Sequence, residues 1–206
     1  KGQDKIKFLY GHILECLLIF LSRTAGHTVT DEQKTVTVNG VVGHQDAIVD
    51  DVLVDFKSAS SYGFKKFKEN KIHSDDPFGY IAQISAYAKA NNLDKAGFVV
   101  IDKSSGELCY CPVHSMEMIN AEQRIESLRK TVKSDVPPPR CYDDIPDGKS
   151  GNHKLHVGCV YCSFKHVCWS DANGGAGLKK FNYSTGPRYL TRIGRTPDVE
   201  EIHEEI

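Results

Sequence analysis

The segment AIVDDVLVDFK, residues 47–57, constrains the fold of this chain more than any other stretch. Val, Ile and Leu crowd both sides of Asp50-Asp51, the pattern of two strands joined by a two-residue turn. Centred on that turn, Val49 pairs with Val52, Ile48 with Leu53, Ala47 with Val54 and Asp46 with Asp55. Side chains alternate faces along a strand. Ala47, Val49, Val52, Val54 and Phe56 therefore make one apolar face, and His44, Asp46, Ile48, Leu53, Asp55 and Lys57 share the other. Directly opposed aspartates have Cβ atoms about 4.5–5.5 Å apart, where like charges destabilise the pair. A cation between them removes the repulsion. Lys57, two residues beyond Asp55, projects from the same face. Two acids able to hold a divalent metal beside an ammonium group suit a phosphate and an attacking water. The competing reading makes these residues the solvated outer face of an edge hairpin.

With 206 residues and 40% hydrophobic composition, the chain can bury one substantial core. A formal charge of −1 excludes a generally basic coat, so any DNA contact has to come from local patches. One is FKKFKENK, residues 64–71, where Lys65, Lys66, Lys68 and Lys71 interleave with Phe64 and Phe67; another spans residues 178–192. A charge run is also the ordinary mark of a solvated face. The N-terminal KIKFLYGHILECLLIFL imitates a signal peptide, but Glu15 interrupts its apolar run, which is too short for the ~20 residues of a membrane span. It reads as a buried amphipathic helix. No phosphate-binding Gly-x-x-x-x-Gly-Lys-Ser/Thr loop is present, so the chain is not a nucleotide-driven motor by itself.

Along the chain, the patterns predict a helix over residues 4–22 and strands at 35–38, 41–48 and 52–57, the first two joined by Asn39-Gly40. A loop carrying the lysine patch leads to a helix over 80–91, strands at 97–102 and 107–113, and a helix over 115–133 that VPPPR stops. This order predicts an α/β (α+β) fold, with a mixed central β-sheet flanked by helices.

The pattern GHQD, ending at Asp46, followed by DFK at Asp55-Phe56-Lys57, resembles the PD-(D/E)XK nuclease superfamily. Gln83 and Tyr87 lie one helical turn apart on a shared face. They resemble the Gln-x-x-x-Tyr element of the RecB-like and phage exonuclease branch. The resemblance implies a restriction-endonuclease-like core over residues 1–140. It implies Mg²⁺ or Mn²⁺ held by Asp46, Asp55, the Phe56 carbonyl and an acid or histidine of the first helix. His12 and Glu15 both offer that ligand; Glu15 is favoured because Gly11 shares its face and lets the helix approach the sheet. Lys57 would position water or stabilise the transition state, Gln83 and Tyr87 would orient the lysine and the DNA backbone, and Lys65, Lys66, Lys68 and Lys71 would attract phosphates.

Seven cysteines, an odd number grouped toward one end, fit a reducing compartment and metal binding better than a disulfide framework. Cys159, Cys162 and Cys168 have C-x2-C-x5-C spacing, and Cys141 is the better fourth ligand beside the alternative Cys16. The spacing resembles the ending of iron–sulfur members of the RecB-like group. It implies a structural [4Fe–4S] cluster, with Zn²⁺ as the alternative, in a cysteine-rich segment 141–206 packed on the same domain. Cys109 and Cys111 alternate with apolar residues and read as buried strand residues.

The expectation is a metal-dependent DNA exonuclease, phage-type and serving recombination, repair or replication, acting in the cytoplasm of a bacterial host. A helicase or an annealing or single-strand-binding protein is the expected companion, and no membrane is involved. The alternatives are a restriction-like endonuclease and a non-catalytic, zinc-stabilised nucleic-acid-binding module.

Overall fold

The computed structural model describes residues 2–203, which form two compact units divided between Asp135 and Val136. In the first unit, helix α1 (Gly2–Thr24) precedes β1 (Val29–Thr30), β2 (Thr35–Val38), β3 (Val41–His44), β4 (Ala47–Val49) and β5 (Val52–Ala59). Then come α2 (Ser61–Lys68), α3 (Tyr80–Ala90), β6 (Ala96–Asp102), β7 (Leu108–Val113) and α4 (Ala121–Val132). The central sheet has the order β1-β4-β5-β6-β7; β5 and β6 run parallel, and the other neighbours are antiparallel. A parallel pair needs a crossover, and α2 and α3 provide it. The fold is α/β with a mixed sheet flanked by helices.

The β4–β5 register is Ala47↔Val54, Ile48↔Leu53 and Val49↔Val52, as the turn predicts. Asp50 and Asp51 both take left-handed conformations, φ 48° and 65°. A type I′ turn requires this, and Asp tolerates it better than most residues. Asp50 has a second task that Asn-Gly would not perform. Its carboxylate accepts the Thr28 N–H at 2.9 Å and pairs with His27 at 2.6 Å, holding β1 to the sheet.

Both faces of the sheet are covered. Leu14, Leu18 and Ile19 of α1 pack on Ala47, Val54, Phe56 and Ile101. Phe64 and Phe67 of α2 and Ile81, Ile84 and Ala88 of α3 pack on Leu53, Ala96, Phe98, Val100 and Cys111. The face carrying Asp55 and Lys57 is therefore interior, and β5 is a central strand between β4 and β6, which excludes the edge-hairpin reading.

Four details depart from expectation. The strand expected over 41–48 breaks at Gln45-Asp46, where the chain leaves β5. The lysine patch is helical rather than loop: Ser60 caps α2 by accepting the Gly63 N–H at 3.3 Å, and Phe64 and Phe67 anchor it. The helix expected over 115–133 starts at Ala121, where Asn120 caps it by accepting the Gln123 N–H at 3.0 Å, and Ser115–Glu117 form a separate 3₁₀ turn. Helix α1 is buried on one side only; a single sheet covers one side of a helix, and Phe8, Leu9, Ile13 and Phe20 stay exposed.

In the second unit, β8 (Ile145–Pro146), β9 (His153–Lys154), β10 (Lys179–Tyr183), β11 (Gly186–Arg192) and β12 (Glu201–Ile202) form a sheet of order β12-β10-β11-β9-β8. Its core holds Leu155, Trp169, Ala172 and Tyr189. Among the described residues, no helix is long and apolar enough to cross a membrane.

Candidate active site

The β4–β5 ladder ends at Ala47↔Val54, which leaves the next backbone groups of β5 on that side without a strand partner. The Asp46 side chain fills the gap: its Oδ2 accepts the Phe56 N–H at 2.7 Å. The N–H and C=O of a strand residue point to the same side, so the Phe56 carbonyl faces the same open edge. Asp55, one residue earlier on the alternate face, is 3% exposed, and its Oδ2 lies 2.6 Å from Lys57 Nζ. Asp46, Asp55, Lys57 and the Phe56 backbone thus meet where the hairpin comes apart.

Electrostatics show how closely the acids crowd. Burial first, then the charge of Asp55, raises the Asp46 carboxyl from 3.8 to about 7, against the Phe56 N–H; Glu15 adds to the rise and Lys57 opposes it. Burial also raises Asp55, more than the Lys57 ammonium lowers it, with Glu15 again adding. Burial pulls Lys57 down, but the adjoining Asp55 and then Asp46 outweigh it, so the amine sits above its ordinary value and stays charged.

Glu15, on α1, is the helix acid whose field reaches both aspartates. Its Oε1 accepts from Gln33 Nε2. His12 is exposed, with Nδ1 3.6 Å from Glu15 Oε2. Gln83 and Tyr87 lie on one face of α3, and Gln83 Nε2 donates to the Tyr87 hydroxyl at 3.2 Å. The Tyr87 ring lies against Gly43 so closely that a Cβ there would come within 2.6 Å of it. The glycine of GHQD thus gives α3 room beside β3. The aromatic group nearest the lysine is one that sequence reasoning missed: Tyr80, whose ring centroid is 5.1 Å from Lys57 Nζ. Its signal was available, since Tyr80 lies one turn before Gln83 on the same helix. Asp76 sets the start of that helix, accepting the Tyr80 and Ile81 N–H groups at 2.9 and 2.8 Å.

The lysine patch lies on α2 and the turn after it, and each lysine meets an acid. Lys65 is 3.6 Å from Glu69, Lys68 is 2.5 Å from Glu107, Lys71 is 2.5 Å from Glu69, and Lys66 pairs with Asp75. The pairs of Lys65, Lys68 and Lys71 stand in solvent, where water screens them and holds them only weakly.

Cys141, Cys159, Cys162 and Cys168 all lie in the second unit, as free thiols. Arg140 stacks 3.9 Å above the Trp169 ring and donates to the Cys168 carbonyl at 3.0 Å, and Tyr142 stacks on His156 at 4.3 Å. Cys141, between these two anchors, is thereby brought to the Cys159–Cys168 segment. Burial raises the Cys159 thiol; the neighbouring Trp169 indole opposes this, and Cys162, Cys168 and Cys141 all add to the rise. Cys16 belongs to the first unit, with its Sγ 3.9 Å from His12 Nε2. Cys111 is buried in the core of the first unit, its thiol raised to about 11 by burial.

The donors suit two different metals: carboxylate and carbonyl oxygens for a hard divalent ion at Asp46 and Asp55, and thiolates for iron or zinc. Among the described residues, no three His, Cys, Asp or Glu side chains stand close enough, as placed, to form a closed ion site.

No family model and no curated protein matches the chain. Among solved structures, it is similar to SSO0001, with TM-score 0.40 and 15% identity over 64% of this chain and 63% of that one. The chain thus spans less than two thirds of SSO0001. It is also similar to an alkaline exonuclease, LHK-Exo, from Laribacter hongkongensis, with TM-score 0.41 and 18% identity over 61% of this chain and 73% of that one. Likenesses this distant say nothing about the chemistry.

Proposed function

We propose that the chain hydrolyses DNA phosphodiester bonds with a divalent metal, as an exonuclease of the phage and RecB-like type. The observation that carries this reading is the buried Asp55–Lys57 pair beside Asp46, at the open end of a hairpin on a central strand. A structural ion pair needs no second carboxylate raised to about 7 at its side.

Asp46, Asp55, the Phe56 carbonyl and Glu15 would hold Mg²⁺ or Mn²⁺. When bound, the ion supplies Lewis-acid stabilisation and lowers the pKa of a coordinated water. Lys57, kept protonated by Asp55, holds the attacking water or the scissile phosphate and offsets the negative charge that builds on it. The water oxygen bonds to phosphorus as it gives up a proton to solvent, and the bond from phosphorus to the departing deoxyribose oxygen breaks, that oxygen taking a proton from solvent and leaving as a hydroxyl. Tyr80, against the Lys57 amine, restricts where that amine can point. Lys65, Lys66, Lys68 and Lys71 exchange their surface carboxylates for DNA phosphates, releasing counterions. Cys141, Cys159, Cys162 and Cys168 would hold a [4Fe–4S] cluster or Zn²⁺ as a structural staple of residues 136–206.

Purified protein incubated with end-labelled linear duplex and with closed circular duplex, in Mg²⁺ and in EDTA, tests the reading. The linear DNA should be consumed only with Mg²⁺, and the circle should survive. Loss of the circle would make the enzyme an endonuclease. Cutting by the Lys57→Ala protein at the wild-type rate would overturn the assignment of the site.

A further inference from the structure

The loop Asp31–Lys34 joins the two sources of acid in the site. Gln45, the residue before Asp46, is 0% exposed. A buried amide is costly unless its polar atoms are partnered, and those of Gln45 are. Its Oε1 accepts from Asn91 Nδ2 at 2.5 Å, its Nε2 donates to the Asp31 carbonyl at 3.3 Å, and its backbone N–H donates to the Lys34 carbonyl at 3.1 Å. Asn91 is itself fixed at the end of α3, where Nδ2 also donates to the Tyr87 carbonyl at 2.8 Å. On the other side of the loop, the Gln33 N–H donates to the Asp46 carbonyl at 2.9 Å and Gln33 Nε2 donates to Glu15 Oε1. Asp31 and Gln33 take positive φ, 52° and 50°. That curvature brings the Asp31 and Lys34 carbonyls to Gln45 and the Gln33 N–H to the Asp46 main-chain carbonyl within a few residues.

These bonds account for the break in the hairpin. Had pairing continued past Ala47↔Val54, the segment before Ala47 would lie along Phe56 and take its backbone hydrogen bonds. Instead the loop draws Gln45 away, and the Phe56 N–H is left for the Asp46 carboxylate. Through Gln33 the same loop then holds Glu15, so one residue is bonded to both acids.

We propose that Gln33 and Gln45 are positioning residues for the metal ligands, Gln45 setting where Asp46 stands and Gln33 coupling Glu15 to it. This rests on the metal-dependent nuclease reading. Neither residue touches the reacting atoms. Groups one bond removed from metal ligands typically govern affinity by about 10–100-fold.

The test compares wild type with Gln33→Met and Gln45→Met, which keep side-chain length and remove the amide. Mn²⁺ binding is measured by calorimetry without DNA, alongside the Mg²⁺ dependence of cleavage and the KM for DNA. Gln33→Met should weaken Mn²⁺ binding about tenfold and raise the half-saturating Mg²⁺ to match, with KM for DNA and thermal midpoint unchanged. Gln45→Met should weaken it further. Gln33 is exposed, so its variant keeps the test decisive if Gln45→Met does not fold. Wild-type Mn²⁺ affinity in Gln33→Met would overturn the proposal while leaving the nuclease reading intact. A wild-type protein that binds no Mn²⁺ and cuts no DNA would remove the nuclease reading itself.

Discussion

Asp46→Asn exchanges a crowded carboxylate for a neutral amide of the same shape, whose oxygen can still accept the Phe56 N–H. The folded carboxyl titrates at about 7 instead of 3.8. Between those values the folded state keeps a proton that the unfolded chain has lost, so stability falls as pH rises through the window and levels off above about 7. Each tenfold difference in proton affinity between the two states corresponds to about 1.4 kcal/mol. From about pH 5 to about pH 8 the metal-free protein should therefore lose on the order of 3 kcal/mol through this group, a cost it shares with the coupled Asp55. At an m-value of about 2 kcal/mol/M, the urea midpoint falls by roughly 1.5 M. In Asp46→Asn most of that fall should vanish, and at the upper pH in EDTA the variant should be the more stable protein. Mg²⁺ should recover wild-type stability there and leave the variant unmoved. Urea titrations followed by far-UV circular dichroism at both pH values measure all of this. An equal fall in both proteins, or a variant less stable than wild type at the upper pH, would refute the picture of acids held together against their repulsion.

Three further outcomes are expected. Gly43→Ala places a methyl group within 2.6 Å of the Tyr87 ring and should cost about 1–3 kcal/mol in thermal or urea unfolding. Replacing Lys68 and Lys71 by Ala should raise KM for DNA, leave kcat unchanged and flatten the log–log salt dependence by about 0.9 for each phosphate no longer neutralised; an unchanged salt slope would place the DNA elsewhere. Cys159→Ser should lower the bound iron or zinc measured by elemental analysis, and a brown wild-type protein that the variant renders colourless identifies the metal as iron.

The hairpin was legible because periodicity of two and a two-residue turn leave one register that puts five apolar residues on one face. Local pattern did not disclose that the other face is also interior. Ile48 and Leu53 are too few to announce a second core, and what covers them, Phe64, Phe67, Ile81 and Ile84, comes from elements later in the chain. The break at Gln45 was equally hidden, since Gln45 sits in an otherwise strand-like run and its partners, Asp31, Lys34 and Asn91, are set by tertiary structure. Helix α2 was missed because lysines and Gly63 mask the spacing of two phenylalanines. The sheet of the second unit escaped because three of its strands, β8, β9 and β12, are two residues long.

The turn at Asp50-Asp51 ties chain length to chemistry. Inserting or deleting one residue there would leave β5 anchored between its neighbours while moving β4 by one position, which turns every β4 side chain to the opposite face. Asp46 would be carried away from the Phe56 N–H that it now accepts, and Asp55 and Lys57 would stay where they are. The acid pair can thus be dismantled without touching any of its members, by the smallest possible change at the far end of the hairpin.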